Sequence, residues 1–582
     1  MNDFLINIIY STKRMKQRFI QLMALFACLL SASQLQAQAP KWMEKARQAV
    51  FSVITYDAEG HIKGTGNAFF VSEEGVALSD YALFRGASRA VAINTQGVQM
   101  PVECILGANE LFDVIKFKVQ IPKKIVPLTL AAQKPAVGST VYLLPYSTQK
   151  SRTFTQGTLQ AEDKAQGNYG YFTLALPLKE KMVSCPLMTA QGEVFGLAQR
   201  ASGPDTATIS YAMDARFAMD LQITPFALMD VALQGVGIRK ALPDTEEQAL
   251  VGLYMASTQL TPERYLEMLD SFVGQYPNSA EGYLRRAAQH MAMATDEEEL
   301  KQAEADMDKA VSVASKQDEV RYERAKLLYN YLISGGKAYK DWSYEKALGE
   351  LQQAISVNPL PLYRQLEGDL QFALKHYAEA LTAYEAVNAS PMASHVSFFN
   401  AAKTKELLEA PAEEVVALMD SCVARFTTPY TADAAPYLLE RAQARMNAKH
   451  ARGAVADYDA YFQTVNGKVN DVFYSFRADA ALQSRQYQRA LDDYAKAIEL
   501  NPAELTYRAE LAVVNIRIGR NEEAIKLLQE ALSIDEQYAE AHRLMGLAYV
   551  QMKKKAEARG CFEKAKALGD PNAEALIEKH CK

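Results

Sequence analysis

Gly64-Thr65-Gly66-Asn67-Ala68-Phe69-Phe70-Val71-Ser72-Glu73-Glu74-Gly75-Val76-Ala77-Leu78-Ser79-Asp80-Tyr81-Ala82-Leu83 contains an apolar strand, Phe69-Phe70-Val71, that runs into a turn at Glu73-Glu74-Gly75. Similar units lie on both sides. Upstream, Val50-Phe51-Ser52-Val53-Ile54-Thr55-Tyr56 reads as a strand ending near the Glu59-Gly60 turn. Downstream, Ala90-Val91-Ala92-Ile93 and Val98-Gln99-Met100-Pro101-Val102 follow. Short strands at regular spacing, separated by Gly-containing turns, predict an all-β barrel or sandwich over residues 49–221.

The same stretch resembles the first active-site strand pair of the HtrA/Deg branch of trypsin-like serine proteases. That resemblance implies a double β-barrel. The family carries its general base, a histidine, at the end of this segment, and here the matching residue is Ala82. The run Phe112-Asp113-Val114-Ile115-Lys116-Phe117 resembles the segment that bears the triad aspartate, which places Asp113 in that role. Pro186-Leu187-Met188-Thr189-Ala190-Gln191-Gly192-Glu193-Val194 resembles the stretch after the nucleophile, and Ser210-Tyr211-Ala212-Met213 the run beyond it.

Aligned on Pro186-Leu187, the nucleophile position falls on Val183, and Ser184 and Cys185 replace two family glycines. Lys181 replaces a third, two residues before the nucleophile. A serine hydroxyl without a base is a poor nucleophile at neutral pH. An oxyanion hole needs inward-turned backbone N–H groups, a geometry glycine permits. The expected catalytic set is therefore empty: Ala82, Asp113 and Val183 are degenerate triad positions. Ser184 is the fallback nucleophile, with Lys179 or Lys181 as its base. Cys185 is a second, baseless nucleophile, and His61, after the Glu59-Gly60 turn, is expected to face solvent. No metal site and no cofactor are expected.

From about residue 259 the chain turns Ala-rich with charged faces. Ala490, Ala524 and Ala558 recur at a spacing of about 34 residues, as do Tyr494, Leu528 and Phe562, and Ala497, Ala531 and Ala565. Ala478, Ala512 and Gly546 keep the same register. This pattern resembles the tetratricopeptide repeat, a helix–turn–helix unit whose small residues let paired helices approach. Looser units precede these three, for about seven or eight in all, and Gly335-Gly336-Lys337 lengthens one turn. The resemblance implies an all-α superhelical solenoid whose groove receives a protein or peptide, with polar residues such as Arg508 and Asn515 lining it.

Lys13, Arg14, Lys16 and Arg18 precede an apolar run at 19–30, and Ala37 ends a small-residue site, so 1–37 reads as a signal peptide. Met15 is an alternative start, and Cys28 permits a lipoprotein reading. The expected domains are then 40–222 (trypsin-like), 223–258 (a helical connector) and 259–582 (the repeats). No transmembrane segment is expected after the signal. With 582 residues, several domains are required, and a net charge of -6 without a long basic run argues against nucleic acid. Five cysteines would remain, Cys104, Cys185, Cys422, Cys561 and Cys581, without a metal-like pair or a disulfide framework.

Three functions fit. One is an exported adaptor, periplasmic or held at the cell envelope, with a pseudoprotease barrel. Another is an active serine endopeptidase using Ser184, with substrate recruited by the repeats. The last is a cell-envelope assembly factor.

Overall fold

The structure, a computed structural model, describes residues 40–148, 154–199 and 208–581. The signal reading at 1–37, with Met15 and Cys28, lies outside them. The chain divides into two compact units between Gly282 and Tyr283.

Twelve strands build the first unit among the described residues. β1 (Val50–Tyr56), β2 (Ile62–Phe70), β3 (Val76–Ser79), β4 (Arg89–Ile93), β5 (Gln99–Asn109) and β6 (Val114–Val119) come first. β7 (Thr140–Leu143), β8 (Thr155–Lys164), β9 (Gly170–Ala175), β10 (Pro186–Met188), β11 (Val194–Gln199) and β12 (Ile209–Asp214) follow. They close into two six-stranded barrels, ordered β1-β2-β3-β6-β5-β4 and β10-β11-β12-β9-β8-β7. Closure leaves no unpaired sheet edge, which suits strands this short.

Inward alternation is clearest in β1, β7 and β9, while β11 is buried throughout. Val50, Phe51 and Val53 of β1, with Phe69 and Phe70 of β2, are buried against Phe117. The second core gathers Val141, Leu143, Phe172, Leu174, Leu187 and Phe195. The turn at Gly75 shows why glycine stands there: φ is +93°, and a Cβ would lie 2.4 Å from the Val119 carbonyl oxygen.

Residues 223–258 contain only two helices, Val231–Gln234 and Glu246–Ala256. Between them, the Ile105 N–H donates to Arg239 and the Ala241 N–H to Ile105, both at 2.8 Å, so the chain runs along β5. Leu233, Val236 and Ile238 are buried in the first-barrel core. The same segment backs the one-turn helix Tyr81–Phe84. The Gly237 N–H donates to Ala87 at 2.7 Å, and a Cβ on Gly235 would meet the Tyr81 hydroxyl at 2.2 Å.

In the second unit, helices pair in sequence order. Gln317–Ile333 packs on Tyr344–Val357, across the turn that Gly335-Gly336-Lys337 lengthens. Five further pairs lead to Ala539–Gln551 with Lys555–Ala567, and the helix Ala573–Cys581 covers the last pair. No helix among the described residues is long and apolar enough to cross a membrane.

Candidate functional site

A cleft of about 660 Å³ opens in the barrel unit. Asn67 of β2, Asp80, Ala82 and Leu83 line it from the first barrel, with Lys181 and Val183 from the second. Asp80 begins the helix Tyr81–Phe84, its carboxylate accepting the Leu83 N–H at 3.2 Å. That cap sets the exposed Ala82 at the rim.

Asp113 follows a tight turn with φ +49°. Its carboxylate accepts the Ala82 backbone N–H at 2.7 Å. The structure thus brings Ala82 and Asp113 together and puts Val183 on the lining of the same cleft. What is missing is an imidazole. In the first unit's sequence His61 is the one histidine. It stands at the β1–β2 turn, its side chain 79% exposed and its Nδ1 3.5 Å from Asp57.

The loop at the nucleophile position engages its polar groups with one another and with Asn67. Residues Glu180–Met182 form a 3-10 turn, and the Val183 N–H donates back to Glu180 at 3.3 Å. The carbonyl oxygens of Lys181 and Val183 accept from the Asn67 side-chain amide at 3.0 and 2.9 Å. An oxyanion hole requires donors aimed at the developing charge. Here that N–H is spent inside the loop, and the carbonyls are held by Asn67.

Ser184 is fully buried with φ +66°. Its hydroxyl donates to the Asp80 carboxylate, and its N–H donates to Ala198 at 2.8 Å. It ties the two barrels together and does not line the cleft. Lys179 and Lys181, by contrast, are exposed. Sequence reasoning missed Asn67 and Asp80, the two residues that position this loop. Their partners lie over a hundred residues away, so no local pattern marks them.

Cys185 is also fully buried, and burial pushes its thiol up to about 12. Because the thiolate is the reactive form, iodoacetamide at pH 8 is expected to leave Cys185 unmodified in the folded protein and to label it after denaturation. Peptide mapping reads the result, and a stoichiometric native adduct would contradict the burial.

The repeat positions behave as packing residues. Ala490, Ala524 and Ala558 are fully buried, as are Leu528 and Phe562, and Tyr494 is nearly so. A Cβ on Gly546 would lie 2.3 Å from the Phe562 ring. The groove expectation needs one correction. Asn515 is buried, its amide donating to the Leu511 carbonyl at 2.9 Å, because its turn of helix faces the neighbouring helices. Arg508 is half-buried and donates to the Pro502 carbonyl at 2.5 Å.

Comparison with known proteins follows the same division. The trypsin-like peptidase domain family matches residues 64–197. Tetratricopeptide repeat families match residues 473–504 and 516–553. Among curated proteins, the chain is 31% identical over 96 residues to small glutamine-rich tetratricopeptide repeat-containing protein 2 of Mycosarcoma maydis, covering 16% of this chain and 27% of that protein. It is 28% identical over 99 residues to the heat-shock protein cognate co-chaperone sgt12 of Aspergillus fumigatus, covering 17% and 29%. It is 37% identical over 73 residues to the TPR repeat-containing thioredoxin TTL4 of Arabidopsis thaliana, covering 12% and 11%. The chain therefore spans less than a third of the length of these relatives. Two closed six-stranded barrels and the helix pairs that follow agree with both family matches: this chain carries a trypsin-like peptidase domain followed by C-terminal tetratricopeptide repeats.

Proposed function

We propose that the chain is an exported protein-binding adaptor whose trypsin-like domain is catalytically degenerate and whose repeats hold a protein partner. The observation that carries this reading is the Asp113 carboxylate bound to the backbone N–H of residue 82, where the side chain is a methyl group. An aspartate in that place orients and stabilises an imidazole. With Ala82 there is no imidazole at that position to orient or to take a proton from a residue at the nucleophile position. The engagement of the Lys181 and Val183 carbonyls by Asn67 supports the same conclusion. Tetratricopeptide arrays are interaction scaffolds, which supports a binding role. Export rests on residues 1–37 alone.

Fluorophosphonate labelling of the purified protein, with peptide mapping, tests the barrel. No adduct is expected at Ser184 under conditions that label an active trypsin-like protease. Stoichiometric labelling of Ser184, lost in Ser184→Ala, would replace the adaptor reading with that of a serine endopeptidase.

A further inference from the structure

The first helices of the last three repeats carry two exposed apolar side chains and three partly exposed acids. On Asp471–Gln483, Val472 and Phe476 are 42% and 53% exposed. Asp479 follows at the spacing that keeps all three on one helix face. The next repeat's first helix, Leu505–Arg517, carries Glu510 within electrostatic reach of Asp479, and the third, Ala539–Gln551, carries Glu540 within reach of Glu510.

Asp479 and Glu510 make no ion pair among the described residues, whereas Glu540 is held by Arg543 and accepts from the Tyr538 hydroxyl at 3.1 Å. Asp479 accepts from the neutral Gln483 amide at 3.2 and 3.1 Å. Arg543 is a nearby cation; it pairs with Glu540 and also with Asp570 at 2.9 Å, so one guanidinium serves two acids. Burial, then the charges of Asp479 and Glu540, raise the Glu510 carboxyl, and Arg543 offsets this in part. Arg517 stands exposed at the far end of its helix. A fold that gathers like charges around a half-buried acid pays in repulsion, and a ligand cation relieves it. The exposed Phe476 ring beside them offers apolar area and a face for a cation.

From this charge complementarity we infer that the surface formed by Phe476, Val472, Asp479, Glu510 and Glu540 docks a cationic amphipathic segment of a partner protein. Lys or Arg side chains of the segment meet the carboxylates, and a bulky apolar residue covers Phe476. The inference rests on the adaptor reading and names the chemistry of its partner. Steering by the acidic face makes the binding weaken with salt.

The test is fluorescence anisotropy of the whole protein with a labelled amphipathic Lys/Leu peptide and its Glu/Leu counterpart. The Lys/Leu peptide is expected to bind and the Glu/Leu peptide not. Asp479→Lys with Glu510→Lys is expected to weaken binding about tenfold or more, and Phe476→Ser about fivefold. Glu297→Lys with Glu298→Lys makes the same change of net charge at exposed sites on another helix, and is expected to stay within about twofold. Thermal melts verify folding, and Asp479→Asn with Glu510→Gln replaces the reversal if it unfolds. Absence of Lys/Leu binding, equal binding of both peptides, or an equal loss in the Glu297/Glu298 control would each overturn the inference. None of these outcomes bears on Ser184 labelling, so failure here leaves the barrel reading standing on its own test.

Discussion

Arg477→Met is expected to destabilise the repeat unit by about 3–5 kcal/mol, because it strands a buried carboxylate. Arg477 Nη2 and Nε donate to the two oxygens of Asp493 at 2.7 and 2.8 Å, and Nη1 donates to Asp459 at 3.2 Å. The two main partners are 10% and 7% exposed. The guanidinium also lies 4.9 Å from the Phe462 ring centre and 5.3 Å from that of Phe473. One unit earlier, Arg441 makes the same two-toothed contact with Asp457. The pair thus recurs as a link between the two helices of a repeat. The destabilisation comes from desolvation without compensation, so removing both charges is expected to recover most of it. Urea unfolding of Arg477→Met and of Arg477→Met with Asp493→Leu checks this. A single-variant loss below about 1 kcal/mol would mean the pair is solvated as a surface bridge is.

Phe562→Ala is expected to cost a similar amount, about 3–5 kcal/mol, for a different reason. The Phe562 ring is fully buried and occupies the space that Gly546 leaves open on the facing helix. Truncation leaves a cavity that two rigid helices cannot close. Phe562 also packs with Ala558 and Cys581, where the final helix covers the array. Stability in a repeat array is carried by nearest neighbours, so the damage is expected to stay local. Hydrogen exchange should accelerate across residues 539–581 and remain unchanged in the barrels. Uniform acceleration through the chain would contradict this division, and Gly546→Leu alone should destabilise by overpacking.

Both predictions bear on how much of the molecule is legible in its sequence. The Ala490, Ala524 and Ala558 series was readable because each repeat solves the same packing problem with the same residue at the same interval. The barrel strands were readable because short apolar runs such as Val50-Phe51-Ser52-Val53 and Phe69-Phe70-Val71 are separated by Gly-containing turns. Asp113 was singled out through the resemblance of its run, and the structure places its carboxylate on the Ala82 N–H at 2.7 Å.

Other positions gave no such signal. Asn515 looked polar and available, yet the neighbouring helices enclose it, and it satisfies its amide within its own helix. Ser184 looked like a displaced nucleophile, and the fold makes it a buried tie to Asp80.

The spacing of short apolar runs and Gly-containing turns, the repeat interval and the absence of a histidine at Ala82 are local properties, and the amino-acid order by itself determined them. The direction of the loop at Lys181 and Val183, the burial of Ser184 and Cys185, and the convergence of Asp479, Glu510 and Glu540 were decided only by tertiary structure. Each depends on which distant group fills the space opposite: Asn67 across the barrels, Asp80 at a helix start, the next repeat's first helix. Periodicity reports which face of an element is buried, but a hydrogen bond or a charge cluster is a relation between elements, and folding alone sets the distance between them.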